Sequence, residues 1–224
     1  MKVVAVVPSY EEEQLVGETV RSLLSIDEVD RVLVVDDGST DHTAKSALDA
    51  GAGMVVNSPN LGKGKSLNRV LPHLDFDVLL LIDGDLGSSA REAGALLETV
   101  LRGEAELAIA AFPPPEVKGG FGLAQGIARR GIERLTGREM TSPLSGQRAL
   151  TREVYGATSP FECGFGVEVG MTVDAIHYGY RVVEVETDMF HKETGRDIAG
   201  FVHRGRQFVD ILKVLAKRRH PRGR

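Results

Sequence analysis

The chain has 224 residues, of which 42% are hydrophobic and 26% charged, so it has enough apolar material for a globular core. Its net charge of −5 argues against a nucleic-acid partner, because the bulk of the chain does not attract phosphate backbones. The single cysteine, Cys163, excludes an internal disulfide and a multi-thiolate metal site and suits a reducing cytosol.

No apolar run reaches the roughly 18 residues of a transmembrane helix. The run before Pro8 is too short for a signal peptide, so we expect a cytoplasmic protein.

The first half of the chain alternates short apolar runs with amphipathic ones. This pattern predicts an α/β fold with a mostly parallel, Rossmann-like sheet and helices on both faces. The predicted strands are 3–7, 31–35, 54–56, 78–82 and 105–111. The predicted helices are 12–25, one that ends at 50, one that ends near 71, and one capped by Ser88 or Ser89 that ends at 101.

The second half is less regular. Three prolines at 113–115 followed by glycines predict a mobile loop, and 141–148 and 191–200 are predicted to be irregular. The other predicted elements are helices 123–135, from 151 onward, 167–178 and 201–217, and a strand at 181–185. No linker divides the chain, so we predict one domain, 1–224.

Two carboxylates, Asp83 and Asp85, follow the most apolar strand of the chain. Ligands of open α/β sheets bind at the carboxyl ends of the strands, so both side chains are expected to face a crevice. Gly84 between them allows a close approach of the backbone to a ligand. Because neighbouring carboxylates repel, a hard divalent cation carrying phosphate oxygens suits them. The alternative is a solvated turn.

Two other strands of the predicted sheet also end in polar residues. Tyr10 and Glu12 follow the first strand, and Asp37 follows the second. Together with Asp83 they predict a pocket in which the aromatic ring stacks on a base and the carboxylates accept hydrogen bonds from base or ribose. Helix capping is the alternative for the residues after 35.

The loop at 57–65 admits a second interpretation. Gly64, Lys65 and Ser66 match the end of a P-loop, but Pro59 stands where the leading glycine is required, so an ATPase is disfavoured. Lys63 and Lys65 at a helix N-terminus suit contact with a diphosphate, the alternative being solvated lysines.

The C-terminal half carries further candidates. Glu168 follows a glycine-rich stretch, and His191 suits the role of a third ligand for Mg²⁺ or Mn²⁺, although a surface histidine is the alternative. A basic cluster follows, which suits an anionic acceptor or a solvated helix face: Lys192, Arg196, His203, Arg204 and Arg206.

Four motifs, at 7–12, 34–41, 60–64 and 83–85, resemble the nucleotide-sugar glycosyltransferases of family 2, which have the GT-A fold. The resemblance implies a nucleotide-sugar-binding half, 1–111, and an acceptor-binding half, 112–224. In that family the positions that hold the nucleoside match Pro8, Tyr10, Glu12 and Asp37. The resemblance places Asp83 at the ribose or sugar and makes Asp85 the ligand of a metal on the diphosphate.

The C-terminal half is similar to a narrower group. The stretches 143–146, 164–168 and 190–191 resemble glucosyl-3-phosphoglycerate synthases, retaining enzymes in which the residue matching His191 completes the metal site and that matching Glu168 lies near the sugar. Polyprenyl-phosphate sugar synthases share the first half. Inverting members often carry Glu-Asp where Glu168 and Val169 stand, so the stereochemistry is left open.

These observations lead to one functional hypothesis, transfer of a hexose from a UDP- or GDP-linked sugar to a phosphorylated small molecule or lipid phosphate, with Mg²⁺ or Mn²⁺. Asp85 and Glu168 are the predicted catalytic residues, and Lys63 would contact the diphosphate. The predicted acceptor ligands are Arg148, Arg196 and Arg204. The alternatives are a nucleotidyltransferase and a non-catalytic nucleotide-binding domain of the same fold.

The last predicted helix and the basic residues after Lys217 suit peripheral contact with an anionic membrane at its inner face. Its apolar face is predicted to consist of Phe208, Ile211, Leu212 and Leu215. A solvated C-terminus is the alternative. The oligomeric state is left open, with a homodimer as one expectation.

Overall fold

The computed structural model describes residues 1–112, 121–162, 164–190 and 209–218, with the backbone alone at 121–123 and 165. The strands are β1 (Val3–Ser9), β2 (Arg31–Asp36), β3 (Gly53–Val56), β4 (Val78–Leu81), β5 (Leu107–Ala111), β6 (Arg148–Thr151) and β7 (Val182–Glu186). The helices are α1 (Val16–Leu24), α2 (Thr43–Asp49), α3 (Lys63–Val70), α4 (Ala93–Leu101), α5 (Phe121–Thr136), α6 (Arg152–Thr158), α7 (Val167–His177) and α8 (209–217). Short 3₁₀ turns lie at Leu71–His73, Gly87–Glu92 and Gly164–Gly166.

The strands form one seven-stranded sheet in the order β3-β2-β1-β4-β6-β5-β7. The neighbours among β1, β2, β3 and β4 are parallel, β5 and β7 are parallel to each other, and β6 runs antiparallel to both β4 and β5. The prediction of a mostly parallel α/β sheet is confirmed. Since β1 lies between β2 and β4, the carboxyl ends of these three strands meet at one edge.

Helices cover both faces of the sheet, as the apolar run before Asp83 predicted. Successive residues of this run alternate between two separate hydrophobic clusters. Leu79 and Leu81 belong to one cluster, and Leu80 and Ile82 belong to the other. All four side chains are at most 2% exposed, so the strand before the two aspartates is held rigidly from both sides.

Three predictions about local structure are wrong. Strand β6 lies where an irregular segment and a helix start were predicted, because four residues are too few to show alternation and the strand is defined by pairing on both sides. Helix α1 begins at Val16 rather than at residue 12, because the preceding amides donate to side chains of the loop after β2 and of the first residue of α2. Ser89 caps no helix, and its hydroxyl donates to the carbonyl of Leu86 within a 3₁₀ turn.

Helix α8 packs against the domain with a face that partly matches the predicted one, since Ile211 and Leu215 of the predicted set pack on the core. Ile211 and Val214 are buried, whereas Leu212 is 44% exposed. Arg218, predicted to be part of a basic tail, is only 4% exposed, because it is bound by acidic side chains of the domain. Phe208 lies outside the described residues. Within the described ranges, no helix is both long and apolar enough to cross a membrane.

Glu162, one of the acidic partners of α8, makes this docking sensitive to acid. Burial alone would raise its pKa, but hydrogen bonds from Lys217 and Arg218 outweigh burial and hold the pKa below its usual value. Such a carboxylate stabilises the folded state above its unfolded pKa, and the contribution is lost as the pH falls through the folded pKa. We expect Glu162→Gln to lower the melting temperature near neutral pH and to flatten its decline below about pH 4.5. If the melting temperatures of parent and variant fell in parallel as the pH is lowered, the prediction would be contradicted.

Candidate active site

The polar strand ends meet at one edge of the sheet, as predicted. The loop after β1 closes over the turn after β4 so tightly that a Cβ on Gly84 would lie 2.5 Å from Ser9 Oγ and 3.5 Å from Glu12 Cγ. Because Gly84 has no Cβ, its backbone can pack closely against the loop after β1 of the same chain. Tyr10, at the tip of that loop, is 50% exposed, and Pro8 pairs with Val35 in the sheet.

The loops after β1 and β2 are joined by reciprocal hydrogen bonds. The amide of Glu11 donates to Ser39 Oγ over 3.0 Å, and the amide of Thr40 donates to Glu11 Oε1 over 2.8 Å. The amide of Asp37 donates to the carbonyl of Ser9 over 2.9 Å. The two loops therefore form one rigid rim that carries the exposed ring of Tyr10, and the predicted roles of Pro8, Tyr10 and Glu12 in nucleoside binding stay predictions.

Asp37 lies beneath this rim and is 5% exposed. Its carboxylate accepts hydrogen bonds from the amides of Leu61 and Gly62, at 3.0 and 2.6 Å, and from Ser66 Oγ at 2.5 Å. It therefore holds the loop before α3 in place, and its predicted contact with a nucleoside stays a prediction. Ser66 donates to this carboxylate and Lys65 is exposed, so the two side chains of the P-loop interpretation do not converge on a phosphate site.

A lysine between two carboxylates lies at the centre of the site. Lys63 Nζ is 2.7 Å from Asp83 Oδ1 and 2.9 Å from Glu168 Oε1, so α3, the end of β4 and the start of α7 meet at one ammonium group. Burial alone would lower the pKa of Lys63, but attraction by the two carboxylates outweighs burial and raises that pKa. The lysine is therefore a permanent cation near neutral pH. It supplies the positive charge that we expected from a metal beside Asp83.

The segment before β6 closes the other side of this cluster. A Cβ on Gly146 would lie 2.4 Å from Asp83 Oδ2 and 2.8 Å from Lys63 Nζ, and Gln147 Nε2 donates to Asp83 Oδ2 over 3.1 Å. Neither residue was predicted as part of the site. For Gly146 the only signal in the sequence was its place within the stretch 143–146, which the resemblance singled out, and Gln147 lies directly after that stretch.

Thr19 is a third site residue that the sequence did not reveal. It is fully buried on α1, its Oγ1 donates to the carbonyl of Gly84 over 2.9 Å, and it accepts from the amide of Gly87 over 2.8 Å. It therefore fixes the turn that presents Asp83 and Asp85. A threonine within an otherwise apolar helix face was the available signal.

Arg148, predicted to bind the acceptor, is 1% exposed. Its guanidinium donates to the carbonyl of Ser145 over 2.9 Å and to Thr172 Oγ1 over 3.0 Å, so it supports the Gly146 segment and α7 from inside. Burial lowers its pKa to about 10, partly offset by Glu168, Glu184 and Asp83. Contact with an acceptor would require this segment to move, and that role stays a prediction.

The predicted metal ligands are only partly described. Asp85 is half-buried in the turn after β4, whereas His191 lies outside the described residues, as do Arg196 and Arg204. The amide of Phe190, the last described residue before that gap, donates to Ser89 Oγ over 3.3 Å. Over the described ranges, no group of three His, Cys, Asp or Glu side chains forms a metal site.

The sequence of this chain is similar to those of known proteins. It is 29% identical over 194 residues to glycosyltransferase AglJ of Haloferax volcanii, covering 85% of this chain and 63% of that protein. It is 32% identical over 190 residues to glucosyl-3-phosphoglycerate synthase of Mycolicibacterium smegmatis, covering 75% and 62%. The chain thus spans less than two thirds of the length of these relatives.

Solved structures show the same fold. The glucosyl-3-phosphoglycerate synthase of Mycobacterium tuberculosis, in complex with Mn²⁺, uridine diphosphate and phosphoglyceric acid, matches with a TM-score of 0.82 at 24% identity, covering 99% of this chain and 80% of that chain. A sequence model of the family described as Glycosyl transferase family 2 matches residues 4–157. The chain therefore belongs to glycosyl transferase family 2 and has the GT-A fold, as its motifs indicated.

Proposed function

We propose that this chain is a metal-dependent glycosyltransferase that moves a hexose from a UDP- or GDP-linked sugar to an anionic acceptor, a phosphorylated small molecule or a lipid phosphate. One observation carries the proposal: in a chain of this family, Lys63 joins Asp83 and Glu168 at the carboxyl end of β4. Glucosyl-3-phosphoglycerate synthases among its relatives support it, as do their structures with Mn²⁺, UDP-glucose and phosphoglyceric acid.

The central cluster is suited to a reaction in which negative charge moves onto a departing diphosphate. Lys63 is held by two carboxylates and stays protonated, so it provides a fixed positive charge and does not serve as a proton acceptor. The same two contacts fix the orientation of Glu168, whose side chain is 10% exposed and would align the sugar or the acceptor hydroxyl. Asp83 would bind the ribose or sugar from the opposite side.

The residues present fit a hard divalent cation only in part. Asp85 offers carboxylate oxygens of the kind that Mg²⁺ and Mn²⁺ prefer, but the described residues form no group of three His, Cys, Asp or Glu side chains that could hold the ion. We propose that Asp85 and His191 hold the cation together with oxygens of the donor diphosphate. Bound there, the cation would supply neutralisation of the leaving group.

An assay of sugar transfer tests the proposal. The purified chain is incubated with UDP-glucose or GDP-glucose and with 3-phosphoglycerate or a polyprenyl phosphate, in Mn²⁺, Mg²⁺ or EDTA, and products are identified by mass spectrometry. We expect hexose transfer that requires the metal. We expect Asp85→Asn to lower turnover roughly 10²-fold or more, because the leaving group loses its electrostatic stabilisation.

Asp75→Asn is the matched control, since this aspartate precedes the amino end of β4 and its side chain is 86% exposed. Its turnover should equal that of the parent. Full transfer in EDTA, or full activity of Asp85→Asn, would contradict the proposed mechanism. Formation of a nucleotide sugar from a nucleoside triphosphate and a sugar phosphate would instead indicate a nucleotidyltransferase, and nucleotide binding without turnover would indicate a non-catalytic domain.

Membrane contact, a homodimer and a cytoplasmic location are further parts of the proposal. Flotation with anionic vesicles tests the first, and the mass of the chain in solution tests the second. If the acceptor is a lipid phosphate, peripheral binding to anionic lipid would bring enzyme and acceptor together.

A further inference from the structure

The glycine-rich segment before Glu168 also has neighbours outside the cluster. A Cβ on Gly164 would lie 2.2 Å from Asp210 Oδ2, and a Cβ on Gly166 would lie 2.3 Å from Val214 Cγ2. On α7 itself, a Cβ on Gly170 would lie 2.9 Å from Arg218 Nη2. These three glycines therefore leave room for side chains of another element.

All three of those side chains belong to α8 and the residue that follows it. Asp210, Val214 and Arg218 are spaced by four residues, so they form a single stripe along the helix. The stripe lies so close to the glycines that a larger residue at 164, 166 or 170 would require Asp210, Val214 or Arg218 to shift. We call Gly164, Gly166 and Gly170 the glycine track.

Charged groups lock the end of this helix in place. Arg218 Nε and Nη2 donate to the two carboxylate oxygens of Asp174, over 2.8 and 2.6 Å, and Nη1 donates to Glu162 Oε1 over 2.9 Å. Arg218 and Asp174 are 4% and 5% exposed, so this bidentate pair is well protected from water and rigid. Lys217 Nζ adds a contact of 3.0 Å to Glu162 Oε2.

The partners of Arg218 lie on both sides of Glu168 in the sequence. Asp174 is six residues later on the same helix, and Glu162 precedes the 3₁₀ turn from which α7 starts. The carbonyl of Glu162 also lies against Gly64, the residue after Lys63, where a Cβ would be 2.0 Å from the oxygen. Fixing these two acids therefore fixes the position of Glu168 relative to Lys63.

We infer that Arg218 is a positioning residue for Glu168: by clamping Asp174 and Glu162 it seats α8 on the glycine track and holds the start of α7 at the reacting sugar. The inference deepens the proposed function and rests on it. Among the described residues Arg218 is bound by Glu162 and Asp174, neither of which is a predicted substrate ligand, so we expect its effect on turnover and not on donor binding.

The test compares Arg218→Met, which keeps an unbranched apolar stem but removes the guanidinium, with Arg218→Lys and with Lys213→Met, a change at an exposed residue of the same helix. Turnover is measured well below each melting temperature. We expect Arg218→Met to lower kcat by roughly 10-fold to 100-fold at an unchanged KM for the nucleotide sugar, Arg218→Lys to restore part of the loss, and Lys213→Met to match the parent. In a Glu168→Gln background, Arg218→Met should lower kcat only a little further, because both changes act on one group.

Amide exchange gives a readout that does not need turnover. We expect peptides covering 164–172 to exchange faster in Arg218→Met than in the parent, with those of β1 and β2 unchanged. If Arg218→Met left kcat unaltered, or lowered kcat as much in the Glu168→Gln background as in the parent, the inference would be overturned. If the parent transfers no sugar, the proposed function fails, and the exchange experiment still decides whether Arg218 holds this segment, since unchanged exchange there overturns the clamp.

Discussion

Replacing Lys63 with methionine is expected to lower turnover by roughly 10²-fold to 10³-fold and the free energy of unfolding by about 2–3 kcal/mol. The ammonium lies 2.7 Å from Asp83 and 2.9 Å from Glu168, and its side chain is 25% exposed. Its loss leaves two carboxylates facing each other in a poorly hydrated site, where one must take up a proton or move apart. The stability cost is below that of a fully buried pair because some water reaches the group.

Steady-state assays and thermal melts of the same preparation check this prediction. Lys45→Met is the matched control, because Lys45 pairs with Asp49 on the surface, with side chains 70% and 64% exposed. That pair is expected to contribute no more than about 0.5 kcal/mol, and its loss should leave turnover unchanged. If the turnover of Lys63→Met equalled that of the parent, Lys63 would have no role in catalysis, and the role proposed for the central cluster would be contradicted.

Replacing Gly64 with alanine is expected to destabilise the fold by about 1–3 kcal/mol and to lower turnover, although alanine is normally the better helix former. The added Cβ would lie 2.0 Å from the carbonyl oxygen of Glu162 and 3.1 Å from Val167 Cγ2. Because the first of these neighbours is backbone, it cannot rotate away. The segment that leads to Glu168 must therefore shift from α3 and separate Lys63 from its partner.

Gly156→Ala provides the opposite expectation from the same chemical change. Gly156 lies in α6 with nothing within 4 Å of an added Cβ, so the substitution should stabilise the fold by about 0.5–1 kcal/mol. A change of 1 kcal/mol corresponds to about 2–4 °C in a chain of this size, which thermal melts resolve. A Gly64→Ala variant as stable as Gly156→Ala would show that α3 and the Glu162 segment are not in contact in solution.

The fold and the rim of the site were largely predictable because their signals are local. The apolar run 78–82 marked a strand buried on both faces, and polar residues after three parallel strands had to meet at one edge. The motifs indicated membership of glycosyl transferase family 2, which the comparisons with known proteins confirm. By contrast, strand β6 was missed, because its pairing with β4 and β5 joins residues some 70 and 40 positions apart.

The sequence by itself determined the α/β class, the crevice at the strand ends and the residue types gathered there, because hydrophobic periodicity and chain direction decide which ends face the same way. Only the tertiary structure decided which charges meet. Lys63 is 20 residues from Asp83 and far from Glu168 in the chain, yet it bridges both. Arg218, predicted to lie in a basic tail, is buried and paired with Asp174. Such pairings depend on the distances between elements after packing, and in a dry interior a difference of a few ångströms decides whether two charges stabilise each other.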